Sequence, residues 1–330
     1  SSGHHSLLYG TGTYVLWQLA GVSTTTLRLM SVLLAIACLP ITYLVARATG
    51  SGRVATAAMV VIAVNPIFIF YGRYGTSLAA TFFGVLLMLW ASERLIDPAG
   101  QRIWIGLAAG GAAYLATLAY SPARVVTAAV VMTTFAVGFW NWRRLAPRRR
   151  LAFGLLAATL AVCWLVQERA ETADNFVVAH HEQVFSFAPE QVRDFYGESM
   201  DASELTKEQW RVMAANVFER ATADYGRVAS HFLRPSSTAI NVLLEDPPEL
   251  PLVQGPLLLF TLWGLVRSLA HARRGWPLLL LAFLAATTLP LFLTTRVDIH
   301  RLSIAIVPIT VWAAIGIVAA GRVARACGLR

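Results

Sequence analysis

Long apolar runs recur along the chain, and each is close to the length of a membrane-spanning helix. About 20 mostly apolar residues are needed to cross the roughly 30 Å hydrocarbon core of a bilayer. Nine windows meet or approach this length, at about 25–46, 54–72, 75–92, 103–120, 124–142, 151–167, 252–270, 276–295 and 302–321. The pattern therefore predicts an all-α, polytopic membrane protein with about nine transmembrane helices.

Two stretches differ from these windows. The run from Leu7 to Gly21 is too short to span comfortably, and its Tyr9, Tyr14 and Trp17 are typical of the membrane interface. A long polar segment separates the sixth and seventh windows. We therefore predict four parts: an interfacial segment at 1–23, six spans within 24–166, an external and mainly helical segment at 167–250, and three spans within 251–330.

Composition agrees with the membrane assignment. The 330 residues are 57% hydrophobic and 14% charged, with a mean hydropathy of +0.59, which is too apolar for an ordinary soluble domain. Cys38, Cys163 and Cys327 have neither CxxC nor metal-type spacing and are interpreted as small buried hydrophobes. Because the chain does not begin with Met and has no signal-peptide pattern, we expect it to begin partway into its gene product.

The arginines predict the orientation, because basic residues in short loops are retained on the cytoplasmic side. One set of alternate loops holds fifteen of the 27 basic residues, and the polar segment 167–250 holds fifteen of the 18 acidic ones. We therefore expect a multi-pass protein of the bacterial inner membrane, with 167–250 on the periplasmic side and the C-terminus in the cytoplasm. The net charge of +9 reflects this topology and anionic lipid rather than nucleic-acid binding.

The external segment contains one clear helix signal. Thr206 and Gln209 have capping-box spacing. Apolar residues then follow at helical spacing: Trp210, Met213, Val217, Phe218, Ala221, Tyr225, Val228 and Phe232. The pattern predicts an amphipathic helix whose apolar stripe packs on the membrane domain or lies at the interface, and a plain packing role is favoured over substrate binding.

Several cationic side chains lie at the predicted external helix ends, where topology does not explain them. An arginine fork binds phosphate bidentately, so a group of such side chains around one cavity would suit a phosphate at headgroup depth. The alternative is that each one reaches out to lipid phosphate or caps a helix. The set consists of Arg28, Arg73, Arg124, Arg296, His300 and Arg301.

Other motifs narrow the chemistry. Tyr71, Tyr74 and Tyr120 fit sugar stacking or an interfacial belt, and the belt is favoured. His180 and His181 are adjacent and lack the i, i+4 spacing of a helical metal site, so neither a metal nor another cofactor is predicted. No P-loop, GxSxG or HExxH motif occurs, which removes the usual support for nucleotide-driven or hydrolytic functions.

Four passages resemble the polytopic glycosyltransferases of family 39, the protein mannosyltransferase and aminoarabinose transferase group, which have the GT-C fold. "YGTGTYVLWQLAGVSTTTLRLMSVLLAIACLPITYLVARATG" is similar to the family's early passage, and "NPIFIFYGRYGTSLAATFFGVLLMLWA" has Arg73 in the family's arginine position. In "GLAAGGAAYLATLAYSPARVV", Tyr120 and Arg124 take the tyrosine and arginine positions. "DIHRLSIAIVPITVWAAIGI" resembles the late passage through four matching residues: His300, Arg301, Pro308 and Gly316.

The resemblance implies transfer of a sugar from a polyprenyl-phosphate carrier to a lipid or protein acceptor on the outer face of the membrane. The family's catalytic acid lies in the first external loop, and this sequence resembles the family only from beyond that point, so the catalytic residue stays unassigned. The expected partners are the lipid-linked sugar, membrane lipids and other membrane subunits. The expected substrate-binding residues are Arg73, Tyr120, Arg124, Arg296, His300 and Arg301.

Two alternatives stay open beside the enzyme. Asp298 is the one carboxylate in a short external loop, and its cationic neighbours favour an ion pair with Arg296 or Arg301 over a role as base. A non-catalytic GT-C-like subunit that packs in a larger assembly or binds lipid is therefore the second hypothesis. A transporter is weaker, because transport sites place polar groups at mid-span and here the ionisable residues lie at helix ends.

Overall fold

Helices account for all the regular secondary structure in the part of the chain that the structure describes. The computed structural model describes residues 7–48, 51–73, 78–97, 102–119, 121–171, 205–219, 255–271, 275–288 and 303–327. The first helices are α1 (Leu7–Ala20), α2 (Thr24–Arg47), α3 (Gly52–Ala63), α4 (Pro66–Arg73), α5 (Leu78–Ile96) and α6 (Trp104–Ala119). The others are α7 (Ser121–Trp140), α8 (Pro147–Glu171), α9 (207–219), α10 (Gly255–Leu269), α11 (Trp276–Thr288) and α12 (Ile306–Ala326), with a 3-10 turn at Trp142–Arg144.

Each of the nine predicted windows contains helix, yet fewer of the helices meet the requirements of a full span. Four described helices are long and apolar enough, namely α2, α5, α7 (from Ala123) and α12. The pair α3 and α4 makes a fifth if it is one span, bent by 59° at its break. Since α6, α10 and α11 are shorter apolar helices, the count of nine spans is not confirmed.

The helices pack around a single large apolar core to which α5 and α12 contribute most. About two thirds or more of the apolar windows of these two helices is buried, 72% in α5 and 67% in α12, against 33% in α2 and α7. The outer surface still presents large apolar side chains, such as Met132 (71% exposed) and Trp140 (90% exposed). An apolar exterior around a packed interior is the arrangement expected in lipid.

The first helix is tied to the second by a tight connection. Its 14 residues correspond to about 21 Å, which is shorter than the hydrocarbon core. The Tyr9 hydroxyl donates to the Leu27 carbonyl at 2.8 Å, and Gly21 supplies the positive φ of the turn. Ser23 and Thr26 then form a capping box that starts α2. The placement of 1–23 in the interface stays a prediction.

The described part of the segment 167–250 confirms the predicted helix start. The Thr206 hydroxyl accepts from the Gln209 amide at 3.3 Å, and the Gln209 side chain accepts from the Thr206 amide at 2.9 Å. Met213 and Val217 are buried and Phe218 is 68% exposed, so the described part of the stripe is buried only in part, and its packing on the membrane domain or at the interface stays a prediction. Phe218 follows directly after Val217 and therefore lies about 100° around the helix from it. The predicted stripe beyond 219 lies outside the described residues.

The helices α10 and α12 approach each other at backbone contact. A Cβ atom on Gly264 would overlap the carbonyl group of Trp312, and one on Gly316 would overlap the carbonyl group of Phe260. Without side chains at these two positions the helices pack closely, which is how small residues hold helices together in membranes. Gly316, noted in the sequence as a family match, is thus explained by packing.

We predict that Gly316→Val destabilises the protein by about 1–3 kcal/mol, because overpacking forces the two backbones apart. The measurement is the thermal unfolding midpoint of the purified protein in detergent. Gly321→Val is the matched control, since Gly321 lies on the same helix and a Cβ atom added to it would have nothing within 4 Å. Equal midpoints for the two variants would contradict this account of the α10–α12 contact.

Candidate functional site

An apolar groove runs along α2, α3 and α4 and ends at a single charged side chain. Its cavity volume is about 170 Å³. The wall consists of apolar side chains and one glycine, and Arg73 is the one charged residue that lines it. The lining residues are Val32, Ala35, Ile36, Leu39, Ala63, Phe68, Ile69, Gly72 and Arg73.

The groove exists because the second apolar window forms two helices with a break between them. The chain leaves α3 after Ala63 and starts α4 at Pro66, which has no amide hydrogen and fits the first position of a helix. The Asn65 side-chain oxygen accepts from the amides of Ile67 and Phe68, at 3.0 and 3.2 Å, and so caps α4. The resulting bend of 59° lets α3 and α4 both contribute to one wall, with α2 opposite.

Small residues close the groove next to the charge. A Cβ atom on Gly72 would lie 3.0 Å from the Cβ of Ala35, so α2 and α4 are already near their closest approach there. A larger side chain at either position would push the helices apart. The contact between Gly72 and Ala35 therefore sets the point at which the apolar wall ends and the Arg73 side chain follows.

Arg73 is the last residue of α4, and its side chain is exposed. It has no hydrogen bond or ion pair with another described residue, although residues 74–77 are outside the described part. A cation at a helix C-terminus is favoured by the helix dipole, which alone could explain its position. The helix dipole does not explain the apolar groove that leads to Arg73.

Arg124 lies in the first turn of α7 and is half-buried. A positive charge is unfavourable at a helix N-terminus, so the dipole does not account for this arginine. Both α4 and α7 pack on α5, and short connections put the end of α4 and the start of α7 at the same end of the bundle. Arg124 is nevertheless not part of the groove lining, and the structure brings only Arg73 to it.

The remaining predicted site residues cannot be compared with this groove. Tyr120, Arg296, His300 and Arg301 lie outside the described residues, as do Asp298, His180 and His181. Within the described ranges, no group of three or more His, Cys, Asp and Glu side chains is placed to hold a metal ion. The site that the described residues define is therefore the Arg73 groove.

The fold and this groove define a multi-pass, all-helical integral membrane protein with a GT-C-like fold. The archaeal oligosaccharyltransferase AglB from Archaeoglobus fulgidus, solved in complex with an inhibitory peptide and a dolichol-phosphate, is similar over 100% of this chain and 44% of its own, at 15% identity and a TM-score of 0.50. The Archaeoglobus fulgidus oligosaccharyltransferase tethered to an acceptor peptide containing the NVT sequon is similar over the same shares, at 14% identity and a TM-score of 0.50.

These similarities concern the fold alone, because the identities are far too low to carry over individual residues. This chain spans less than half of the length of the oligosaccharyltransferase that it resembles. No protein-family model matches the sequence. No curated protein sequence matches it significantly. The family-39 membership suggested by the sequence motifs is therefore not confirmed.

Proposed function

We propose that the protein is a membrane glycosyltransferase that moves a sugar from a polyprenyl-phosphate carrier to a lipid or protein acceptor on the external face of the bacterial inner membrane. The observation that carries the proposal is the apolar groove that ends at Arg73. A polyprenyl phosphate has the same two parts in the same order, a long apolar chain and one anionic head. The groove would hold the part of the chain next to the phosphate.

The comparison supports the same class of ligand. One of the structures with this fold contains a dolichol-phosphate, which is itself a polyprenyl phosphate. The chemistry of the groove and the fold thus point to the same kind of lipid from independent observations. Since the likeness is one of fold, the assignment of Arg73 rests on its position at the end of the groove.

The proposed reaction is a displacement at the anomeric carbon. An acceptor oxygen attacks that carbon, the bond from the carbon to the phosphate oxygen breaks, and its electron pair leaves with the polyprenyl phosphate. Arg73 would stabilise the negative charge that develops on the departing phosphate. Arg124, Arg296, His300, Arg301 and Tyr120 are the further proposed contacts, and the base that takes the acceptor proton is unassigned.

The second candidate is a GT-C-like subunit that binds a polyprenyl phosphate without catalysis. It is favoured by the described part of the groove lining, in which no carboxylate is present that could act as a base. Both candidates need the groove and Arg73, and they differ in whether the bond to the sugar is broken.

The test supplies purified protein in lipid nanodiscs with polyprenyl-phosphate sugars and a mixture of lipid and peptide acceptors, and measures free polyprenyl phosphate. Binding of the carrier followed by its release supports the transferase. Binding without release supports the subunit. If the protein binds no polyprenyl phosphate, both candidates fail.

A further inference from the structure

A second cavity lies at the opposite end of the helix bundle from the Arg73 groove. It has a volume of about 140 Å³ and forms where α3 and α11 begin and where α10 and α12 end. According to the orientation predicted from the arginines, this end faces the cytoplasm. Apart from aliphatic side chains, its walls consist of Ser51, Arg267, Ser268, His271, Trp276 and Arg322.

Two arginines face this cavity without a counter-charge. Within the described ranges no acidic side chain lines it, and neither Arg267 nor Arg322 has a hydrogen bond or ion pair from its side chain to another described residue. Two like charges around one small cavity repel each other, and an anion between them would turn this repulsion into attraction. Both arginines are exposed, so an anion that binds between them can be reached from outside the helix bundle.

The two arginines are also not occupied as helix caps. At the end of α10, the His271 Nδ1 lies 3.1 Å from the Arg267 carbonyl oxygen and takes that role. At the end of α12, the Arg325 Nε donates to the Gly321 carbonyl at 3.0 Å. The guanidinium groups of Arg267 and Arg322 are therefore available to a ligand.

A buried indole supplies an independent sign of a missing acceptor. Trp276 lines the cavity and is 7% exposed, and its Nε1 is buried with no hydrogen-bond partner among the described residues. An indole N–H can only donate, and leaving such a group buried and unsatisfied is unfavourable. An acceptor atom inside the cavity would satisfy it.

The start of α3 adds further donors to the same wall. Ser51 is the N-cap residue, but its side chain makes no capping hydrogen bond, so the first amides of α3 lack that acceptor. The Arg47 guanidinium lies beside the start of α3, with Nη1 2.5 Å from the position of a Cβ on Gly52, but Arg47 does not line the cavity. Guanidinium groups, an indole N–H and helix amides are all donors, and they suit an anion with several acceptor oxygens.

We propose that this cavity binds the phosphate group of an anionic membrane lipid. A lipid is favoured over a soluble phosphate because the cavity lies at the predicted membrane boundary and its other wall is aliphatic, formed by Val54, Ile315 and Val318. Such a wall suits the glycerol and first acyl carbons, while the arginines hold the phosphate. The site is separate from the Arg73 groove and does not depend on transfer chemistry.

The test measures how much phosphatidylglycerol the purified full chain retains, by native mass spectrometry after release from mixed phosphatidylglycerol and phosphatidylcholine micelles. The double variant Arg267→Gln, Arg322→Gln is compared with Arg53→Gln, Arg325→Gln, which removes the same charge from the same predicted side but not from the cavity lining. We expect retention to fall about tenfold in the first variant and to change less than about twofold in the second. Trp276→Phe keeps the ring and removes the donor, and we expect an intermediate loss.

Three outcomes would overturn the proposal. Equal losses in the two double variants would mean that the lipid responds to diffuse surface charge. Unchanged retention in both would mean that the cavity holds no lipid phosphate. If instead millimolar inorganic phosphate raises the unfolding temperature in an Arg267- and Arg322-dependent manner while phosphatidylglycerol does not, the ligand is a soluble phosphate.

Discussion

Arg73→Ala is expected to lower the rate of sugar transfer by about 10²–10³, which corresponds to about 2.7–4 kcal/mol, the effect of removing one donor to a developing oxyanion. Among the described residues, Arg73 is the one charged side chain on the groove lining, so the variant removes the lining charge that we propose contacts the phosphate. The measurement is the initial rate of carrier release from a polyprenyl-phosphate sugar. If the protein is instead the non-catalytic subunit, the same variant is expected to weaken retention of the lipid phosphate.

Two further variants separate a specific contact from general charge loss. Arg28→Ala removes an exposed arginine from the same predicted side, at the start of α2 and outside the groove lining, and is expected to change the rate less than about twofold. Arg73→Lys keeps the charge but loses the planar fork, so we expect it to recover only part of the rate. If the Arg28 and Arg73 variants lose activity to the same extent, the role of Arg73 at the groove is wrong.

Filling the groove is the second change with a large expected effect. Ile36→Trp puts a larger side chain on the lining from a position that is already 57% exposed, so the core around it need not rearrange. Because the groove is as apolar as the surrounding lipid, moving the lipid chain into it gains no hydrophobic free energy. The groove contributes to binding through close packing around the chain instead. Overpacking typically costs 1–3 kcal/mol, and we therefore expect about tenfold weaker binding of polyprenyl phosphate.

Leu33→Trp is the matched control for the groove-filling variant. Leu33 lies on the same helix, is 47% exposed and does not line the groove. We expect it to bind polyprenyl phosphate like the unmodified protein, with both variants unfolding at similar temperatures. A groove that accepts the Ile36→Trp change without loss of affinity is not the site of the lipid chain.

The arrangement of helices could be predicted from local signals, because each signal acts over a few residues. Hydropathy located helix in all nine windows, and the capping box at Thr206 and Gln209 located the start of α9. Hydropathy did not predict the break between α3 and α4, although Asn65 and Pro66 are the residues that cause it. One apolar window covered both helices, and a bend changes the direction of the chain without changing its composition.

The groove was not predictable in the same way, because its walls come from helices such as α2 and α4, whose contacting residues are far apart in the sequence. Ala35 and Gly72 are inconspicuous in the sequence, and only their contact shows that the helices close together beside Arg73. The sequence identified Arg73 as a phosphate-binding candidate by its place at a helix end. It grouped Arg73 with Arg124, whereas Arg124 does not line the groove.

Burial also changed the interpretation of the arginines at the end of the helix bundle opposite the Arg73 groove. Arg149 is one of the fifteen loop arginines from which the orientation is predicted, and such loop arginines are expected to be solvated, but it is only 5% exposed. Arg267 and Arg322 belong to the same fifteen, and the sequence gives no sign of the cavity that they share beside the α10–α12 contact. Counts of basic residues indicate on which side of the membrane a loop lies, but they do not indicate which side chains come into contact.

The central claim is that the groove along α2 and α4 holds the lipid chain with its phosphate at Arg73. Its most direct test is photo-crosslinking of the full chain in lipid nanodiscs with a polyprenyl phosphate that carries a diazirine on its first isoprene unit, followed by peptide mapping. We predict labelling within 32–39 and 68–73 that excess unmodified polyprenyl phosphate suppresses. Labelling spread over outward-facing positions such as Met132 of α7, or labelling that the competitor leaves unchanged, would contradict it.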